Sequence, residues 1–91
     1  MGEGIYVGID VSKDYLDVAG SHEQSGRRYS NADDGLEQLL KSLSDVSVAL
    51  VVMEATGGYQ RLALATLTKA GVPTVAVNPR QVRDFARAAG K

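Results

Sequence analysis

The hydrophobic positions in the first third of this chain alternate with polar ones. Ile5, Val7 and Ile9 recur at every second position, which is the period of a β-strand with one buried face. The same pattern predicts a second strand over Tyr15–Ala19 and a short third strand over residues 27–30. Because these segments follow one another closely, we expect antiparallel hairpins, with the third strand at an edge of the sheet.

The middle of the chain changes to a helical spacing and then back to a strand. Four leucines at i, i+3, i+4 and i+7 predict one apolar stripe on a helix, for which Asn31 is the expected N-cap. These leucines are Leu36, Leu39, Leu40 and Leu43. Residues 48–53 are continuously apolar, which is typical of a strand that is buried on both faces, as in a parallel sheet.

A second helix and a fifth strand complete the predicted sheet. The helix is expected over residues 58–70, because Gly71 is the kind of residue that ends a helix. Its inward face is expected to hold Tyr59, Leu62, Ala63 and Leu67. Residues 74–77 form the last strand, and the helical crossover before it favours parallel pairing with the fourth strand. The pattern therefore predicts an α/β domain with a mixed five-stranded sheet.

The last segment predicts a third helix with two contrasting faces. Asn78 is its expected cap and Pro79 its first residue. The apolar face holds Val82, Phe85, Ala86 and Ala89, and the basic face holds Arg80, Arg83, Arg87 and Lys91. The basic face is either a solvated outer surface or a ridge that contacts phosphates, and the residues alone leave both interpretations open.

Length and composition limit the classes of protein to which the chain can belong. Its 91 residues suit one small domain, and 44% hydrophobic residues are enough for a core. The absence of cysteine excludes disulfides and thiolate metal sites. No apolar run approaches the roughly 20 residues that cross a bilayer, and the first residues lack the features of a signal peptide. We therefore expect a cytoplasmic protein with no membrane partner.

Charge is distributed unevenly along the chain, although the net charge is only −1. Residues 1–60 carry ten acidic and four basic side chains, whereas residues 61–91 carry six basic and one acidic. Such asymmetry between the two parts of a chain indicates a polyanionic partner.

Two of the predicted strands end in an acidic residue. Asp10 comes at the end of the first strand, and Glu54 follows the apolar run of the fourth. Because sites in open α/β sheets form at the carboxyl ends of the strands, these carboxylates can converge if the two strands are neighbours. A carboxylate pair suits Mg²⁺, and two such ions can promote phosphodiester cleavage, although that usually takes three or four acids.

Each of these features also has a purely structural interpretation. Asp10 is of a type that commonly starts a turn, and Glu54 can favour the dipole of the helix that follows it. Residues 56–58 either form a tight strand-to-helix turn or present the backbone N–H groups of Thr56 and Gly57 to a phosphate. The residues by themselves leave these alternatives open.

Three motifs in a fixed order give the sequence a family resemblance. They are VGIDVSK at residues 7–13, MEATGGY at residues 53–59 and VNPRQVRDFA at residues 77–86. With these motifs essentially the whole chain resembles the N-terminal domain of the DEDD transposases of the bacterial insertion-sequence family numbered one hundred and ten. These transposases are related to the Piv DNA invertases.

The resemblance implies a fold and a site together. It implies an RNase H-like fold, close to the Holliday-junction resolvase RuvC, with strands one to three antiparallel and strands four and five parallel. It further implies that Asp10 and Glu54 are the first two acids of a four-acid motif that holds Mg²⁺ or Mn²⁺. The Asn-Pro-Arg-Gln segment, with Asn78, Arg80 and Gln81, is implied to face nucleic acid.

The resemblance also sets expectations for the whole protein. In the family, the other two acids and a serine thought to act as nucleophile come after the part that corresponds to residues 1–91. We therefore expect one RNase H-like domain over residues 1–91, an N-terminal fragment that binds metal weakly and catalyses nothing alone. The intact protein is expected to cut and rejoin DNA strands in insertion-sequence movement, as a homo-oligomer and with a structured guide RNA.

Two other classes of function remain as alternatives. A non-catalytic module for dimerisation or nucleic-acid binding would need neither Asp10 nor Glu54. Actin-like ATPases and sugar kinases also begin with a strand that ends in an acid, but they need a glycine-rich phosphate turn after it. Here residues 11–13 are Val-Ser-Lys, without glycine, which counts against this class.

Overall fold

The helices and strands follow one another in the order that the hydrophobic pattern predicts. The computed structural model describes residues 4–19, 26–55 and 57–78. Its elements are β1 (Ile5–Val11), β2 (Tyr15–Ala19), β3 (Arg28–Ser30), α1 (Asp33–Leu43), β4 (Val48–Ala55), α2 (Arg61–Lys69) and β5 (Thr74–Val77). The predicted third helix, with its apolar and basic faces, lies outside the described residues, as does Thr56.

The five strands form one mixed sheet in the order β3-β2-β1-β4-β5. β1 pairs antiparallel with β2, which pairs antiparallel with the edge strand β3. β4 pairs parallel with both β1 and β5. The predicted sheet is therefore confirmed, with strands one to three antiparallel and strands four and five parallel. Together with the two helices it is the α/β arrangement of an RNase H-like fold.

Alternation along the strands places the core on one face of the sheet. Val7, Ile9 and Val11 of β1 are buried, whereas the intervening Tyr6 and Asp10 are exposed. The helices add Leu36, Leu39, Leu43, Ala63 and Leu67 to the same core. Each buried valine or leucine of this kind stabilises the fold by about 1.5–3 kcal/mol. The core therefore fixes which face of each strand points outward.

The prediction that β4 is buried on both faces holds fully for one face only. Val51 and Met53 are completely buried on the core side. Leu50 and Val52 alternate with them and are half-buried. The helices of the described residues account for this difference, because α1 and α2 both contribute to the core on the side of Val51 and Met53.

The second helix begins later than the sequence pattern predicts. Gly57 and Gly58 both have positive φ angles, +72° and +82°, in the left-handed region that glycine adopts at little cost. The turn that they form extends to Gln60, so α2 begins at Arg61. Ala63 and Leu67 are buried as predicted, but the inward positions predicted for Tyr59 and Leu62 are wrong, because these side chains are 46% and 41% exposed.

The leucine stripe of α1 is confirmed, but its predicted cap is wrong. The N-cap is Ala32, which has an extended backbone and makes no side-chain cap hydrogen bond. Asn31 lies one residue earlier, and its side chain donates to two backbone carbonyls outside the helix. No helix in the described ranges is long and apolar enough to cross a membrane.

Candidate functional site

Asp10 and Glu54 lie side by side at the carboxyl ends of two central strands of the sheet. Each is the penultimate residue of its strand, and the two are register partners in the parallel β1–β4 pair. Neighbouring strands are about 4.8 Å apart. The structure therefore brings the two acids together on adjacent strand ends.

Both acidic side chains point away from the core. Their neighbours Ile9 and Met53 are buried beneath the sheet, and side chains alternate between the faces along a strand. Asp10 is exposed and Glu54 is half-buried. Within the described ranges neither carboxylate has a hydrogen-bond or ion-pair partner. On the face of the sheet away from α1 and α2, the Asp10 side chain is therefore accessible to a ligand and the Glu54 side chain partly so.

The turn after β1 does not depend on Asp10. It is closed by Ser12, whose backbone N–H donates to the Tyr15 carbonyl at 2.9 Å. The Ser12 hydroxyl also accepts from the Tyr15 N–H at 3.3 Å. Asp10 lies two residues earlier, inside the strand ladder. The structure therefore gives Asp10 no turn-forming role.

Glu54 does not belong to the first turn of α2, although it precedes that helix in the chain. The first helical residue is Arg61, and a turn over residues 57–60 separates it from β4. A helix dipole favours negative charge only within about the first turn. Glu54 thus lies outside the part of α2 where a helical residue would meet the dipole directly.

A third acid, Asp17, lies in the same row of the sheet but is already engaged. Asp17 is the register partner of Asp10 on β2, and Arg28 is the partner of Asp17 on β3. The Asp17 carboxylate accepts from Arg28 Nε at 2.7 Å and from Nη2 at 3.3 Å. The hydrogen bond and charge of Asp17 raise the pKa of the Arg28 guanidinium above its ordinary value. The Arg28 guanidinium carbon also lies 4.5 Å from the centre of the Tyr15 ring.

The sequence did not reveal that Asp17 lies beside Asp10. The alternation of β2 puts it on the polar face, but only the strand register shows that it is the neighbour of Asp10. Among the described residues there is no group of three or more His, Cys, Asp or Glu side chains that could hold a metal ion. The arrangement is a carboxylate pair, Asp10 and Glu54, beside a third acid that forms an ion pair with Arg28.

The candidate nucleic-acid residues are divided between the described and the remaining parts of the chain. Val77 of β5 is the register partner of Glu54, and Asn78 follows it directly at the carboxyl end of β5. Asn78 and Gly57 are both exposed. The predicted contacts at Thr56, Arg80, Gln81, Arg83 and Arg87 lie outside the described residues.

The donor set fits a hard divalent cation in part. Carboxylate oxygens are the ligands that Mg²⁺ and Mn²⁺ prefer, and Mg²⁺ commonly takes one or two carboxylates and completes its shell with water and phosphate. Asp10 and Glu54 supply those two carboxylates. A two-metal centre needs further acids, which the described residues do not bring to this pair.

Comparison with known protein families gives a match over most of the chain. The profile of a family described as transposase, of the DEDD type, matches residues 7–91. No curated protein sequence matches the chain significantly. The family match covers almost the whole chain and includes Asp10, Glu54 and Asn78. The chain therefore belongs to the IS110-type DEDD transposase family.

Proposed function

We propose that Asp10 and Glu54 are metal ligands and catalytic residues in the cleavage and rejoining of DNA strands during insertion-sequence transposition. The observation that carries this proposal is their register pairing at the ends of β1 and β4. Membership of a transposase family supports DNA as the substrate. The lack of any other partner for either carboxylate within the described ranges supports a role as ligands.

The chemistry that Mg²⁺ or Mn²⁺ supplies when bound is activation of the attacking oxygen and stabilisation of the oxygen that leaves phosphorus. Asp10 and Glu54 would hold the cation through hard carboxylate oxygens. Water and phosphate oxygens would complete the shell beside them, since Asp10 is exposed and Glu54 is half-buried. Asp17 does not join them, since Arg28 holds its carboxylate.

Two carboxylates make an incomplete site. Since the described residues bring no third ligand to the pair, we propose that residues 1–91 alone bind the cation weakly and do not cleave DNA. Further acids would complete the site in the working enzyme.

The carboxyl ends of the parallel strands, where Asp10 and Glu54 lie, are the proposed contact with nucleic acid. Gly57 and Asn78 are exposed near these ends, and Thr56, Arg80 and Gln81 are their neighbours in the sequence. Arg83 and Arg87 would add contacts to phosphates. A structured guide RNA, assembly as a homo-oligomer and a cytoplasmic location belong to the same proposal.

Paramagnetic broadening by Mn²⁺ tests the metal site even if binding is weak. In NMR spectra of the 91-residue chain, Mn²⁺ is expected to broaden the amide signals of Val11 and Ala55, which follow the two acids. Leu43 lies at the end of α1 and Val72 lies just before β5, both near the amino ends of the parallel strands. Their signals are expected to stay sharp.

Three variants complete this experiment. Asp10→Asn and Glu54→Gln should each weaken the broadening, because each removes a charged ligand. The matched control is Asp45→Asn, which removes an exposed acid beyond the end of α1. Broadening that is unaffected by the first two variants would favour the non-catalytic module instead.

A further inference from the structure

Asn31 connects the two loops that follow the acid-bearing strands. Its side-chain Nδ2 donates to the Ser12 carbonyl at 2.9 Å and to the Tyr59 carbonyl at 3.0 Å. Its backbone N–H donates to the Asp14 carbonyl at 2.9 Å. One residue before α1 is therefore bonded both to the β1–β2 turn and to the turn that leads into α2.

These bonds continue the connection between the strands beyond the sheet. The β1–β4 ladder ends at Val11 and Ala55, each one residue after an acid. Ser12 comes next on the first strand's side, and Tyr59 lies in the turn after β4. The Asn31 amide thus bridges the two chain segments just past Asp10 and Glu54.

The bridge needs an amide donor at this position. Both acceptors are backbone carbonyls, so only the NH₂ end of the side chain can face them. A carboxylate of the same shape would place an acceptor against two acceptors. The other end, Asn31 Oδ1, is buried and has no hydrogen-bond partner among the described residues. The stabilising contribution of the side chain therefore comes from its two donated bonds.

We propose that Asn31 is a positioning residue, which fixes the separation of the Asp10 and Glu54 carboxylates by holding the loops after β1 and β4 together. The link to metal binding rests on the function proposed above. The bridge itself does not, because it is defined by hydrogen bonds within the chain. The two parts are therefore tested by separate measurements.

Amide hydrogen exchange tests the bridge. In Asn31→Asp the backbone bond to Asp14 can remain, but both side-chain bonds are lost. Exchange of the Ser12, Tyr15 and Arg61 amides, which close the two turns, is expected to become faster by about tenfold or more, as for lost hydrogen bonds. The control Ser44→Ala removes a 2.8 Å bond to the Lys41 carbonyl at the opposite edge and should leave these amides unchanged.

Mn²⁺ affinity in the same variants tests the link to the carboxylates. Asn31→Asp adds a negative charge near the pair, which by electrostatics alone would tighten cation binding. A positioning role predicts the opposite, an affinity that falls by about fivefold or more relative to the unsubstituted chain and to Ser44→Ala. The direction of the change therefore separates positioning from charge.

The outcomes distinguish the two proposals. Unchanged exchange in Asn31→Asp would overturn the bridge, and faster exchange with equal or tighter Mn²⁺ binding would overturn its role at the carboxylates. If the unsubstituted chain shows no Mn²⁺ broadening at the pair, the proposed function fails, while hydrogen exchange still judges the bridge. Should Asn31→Asp not fold, scalar couplings across the hydrogen bonds from Asn31 Nδ2 to the Ser12 and Tyr59 carbonyl carbons decide in the unsubstituted chain, since their absence would overturn it.

Discussion

Gly35 lets α1 begin directly against the edge strand β3. It is buried in the first turn of the helix, and a Cβ at this position would overlap the backbone and hydroxyl of Ser30. The Asp34 carboxylate accepts from the Gly35 N–H at 2.8 Å and from the Ser30 hydroxyl at 3.2 Å. The position of Asn31, between β3 and α1, depends on this close packing.

Replacing Gly35 by alanine is expected to destabilise the fold strongly. Overpacking of this kind costs about 1–3 kcal/mol and occasionally more, and here the colliding atoms belong largely to the backbone. The control is Gly8→Ala, whose Cβ would meet the Ala19 carbonyl oxygen at an ordinary 3.7 Å. Urea unfolding measures both variants, and equal stabilities would contradict this account of the α1–β3 contact.

At the residue scale, the sequence shows which side chains can do chemistry but not which contacts they choose. The positions of Asp10 and Glu54 near strand ends could be predicted, because each comes at the end of an apolar pattern. Asn31 is of a residue type that commonly caps helices. Only the fold shows that its amide instead donates to two carbonyls that lie 19 and 28 residues away in the sequence. Asp17 could not be assigned because pairing register is a property of three strands at once.

At the scale of elements, α2 is the part of the fold that the pattern predicts least well. The hydrophobic spacing predicts a buried helical face that includes Tyr59 and Leu62. The two glycines with positive φ form a turn instead, so the helix begins only at Arg61. Successive residues of a helix are rotated by about 100°, so Leu62 lies about 120° from the centre of the face formed by Ala63 and Leu67. The strands were predicted more accurately. Alternation of apolar and polar residues identifies a strand with one buried face even when the first residue of the strand is uncertain.

Two leucine truncations on α2 test which face is buried. Leu67 is completely buried and Leu62 is 41% exposed. We expect Leu67→Ala to lower the free energy of unfolding by about 2–5 kcal/mol, as buried leucines do, and Leu62→Ala to lower it by less than about 1 kcal/mol. Chemical denaturation of the two variants gives the comparison. Similar losses would mean that Leu62 is buried by something beyond the described residues.

At the scale of the whole molecule, the direction from which nucleic acid approaches the sheet is a matter of where the basic residues lie. Asp10 and Glu54 lie at the carboxyl ends of β1 and β4. The last turns of α1 and α2 carry Lys41 and Lys69 at the opposite end. The sequence places four basic residues between positions 80 and 91. This segment follows β5, which ends beside Glu54 at the carboxylate end of the sheet. Attraction of phosphates to these basic residues is the reason to expect nucleic acid at this end, because the carboxylates themselves would repel it.

Binding of DNA by paired variants tests this orientation. The double substitution Arg80→Ala and Arg83→Ala should weaken binding and reduce the slope of log K against log salt by about 0.9 for each lost phosphate contact. Lys41→Ala with Lys69→Ala changes the net charge equally at the opposite end and should have the smaller effect. Equal losses in the two doubles would show that only net charge matters.

The central claim is that Asp10 and Glu54 form part of a divalent-metal site, and a crystal of the chain soaked in concentrated Mn²⁺ tests it most directly. Anomalous difference density is expected as a peak between the two carboxylates, and this peak should disappear in crystals of Asp10→Asn. Side chains that point apart, without density between them at saturating Mn²⁺, would contradict the metal site. The domain would then serve the transposase as a non-catalytic module.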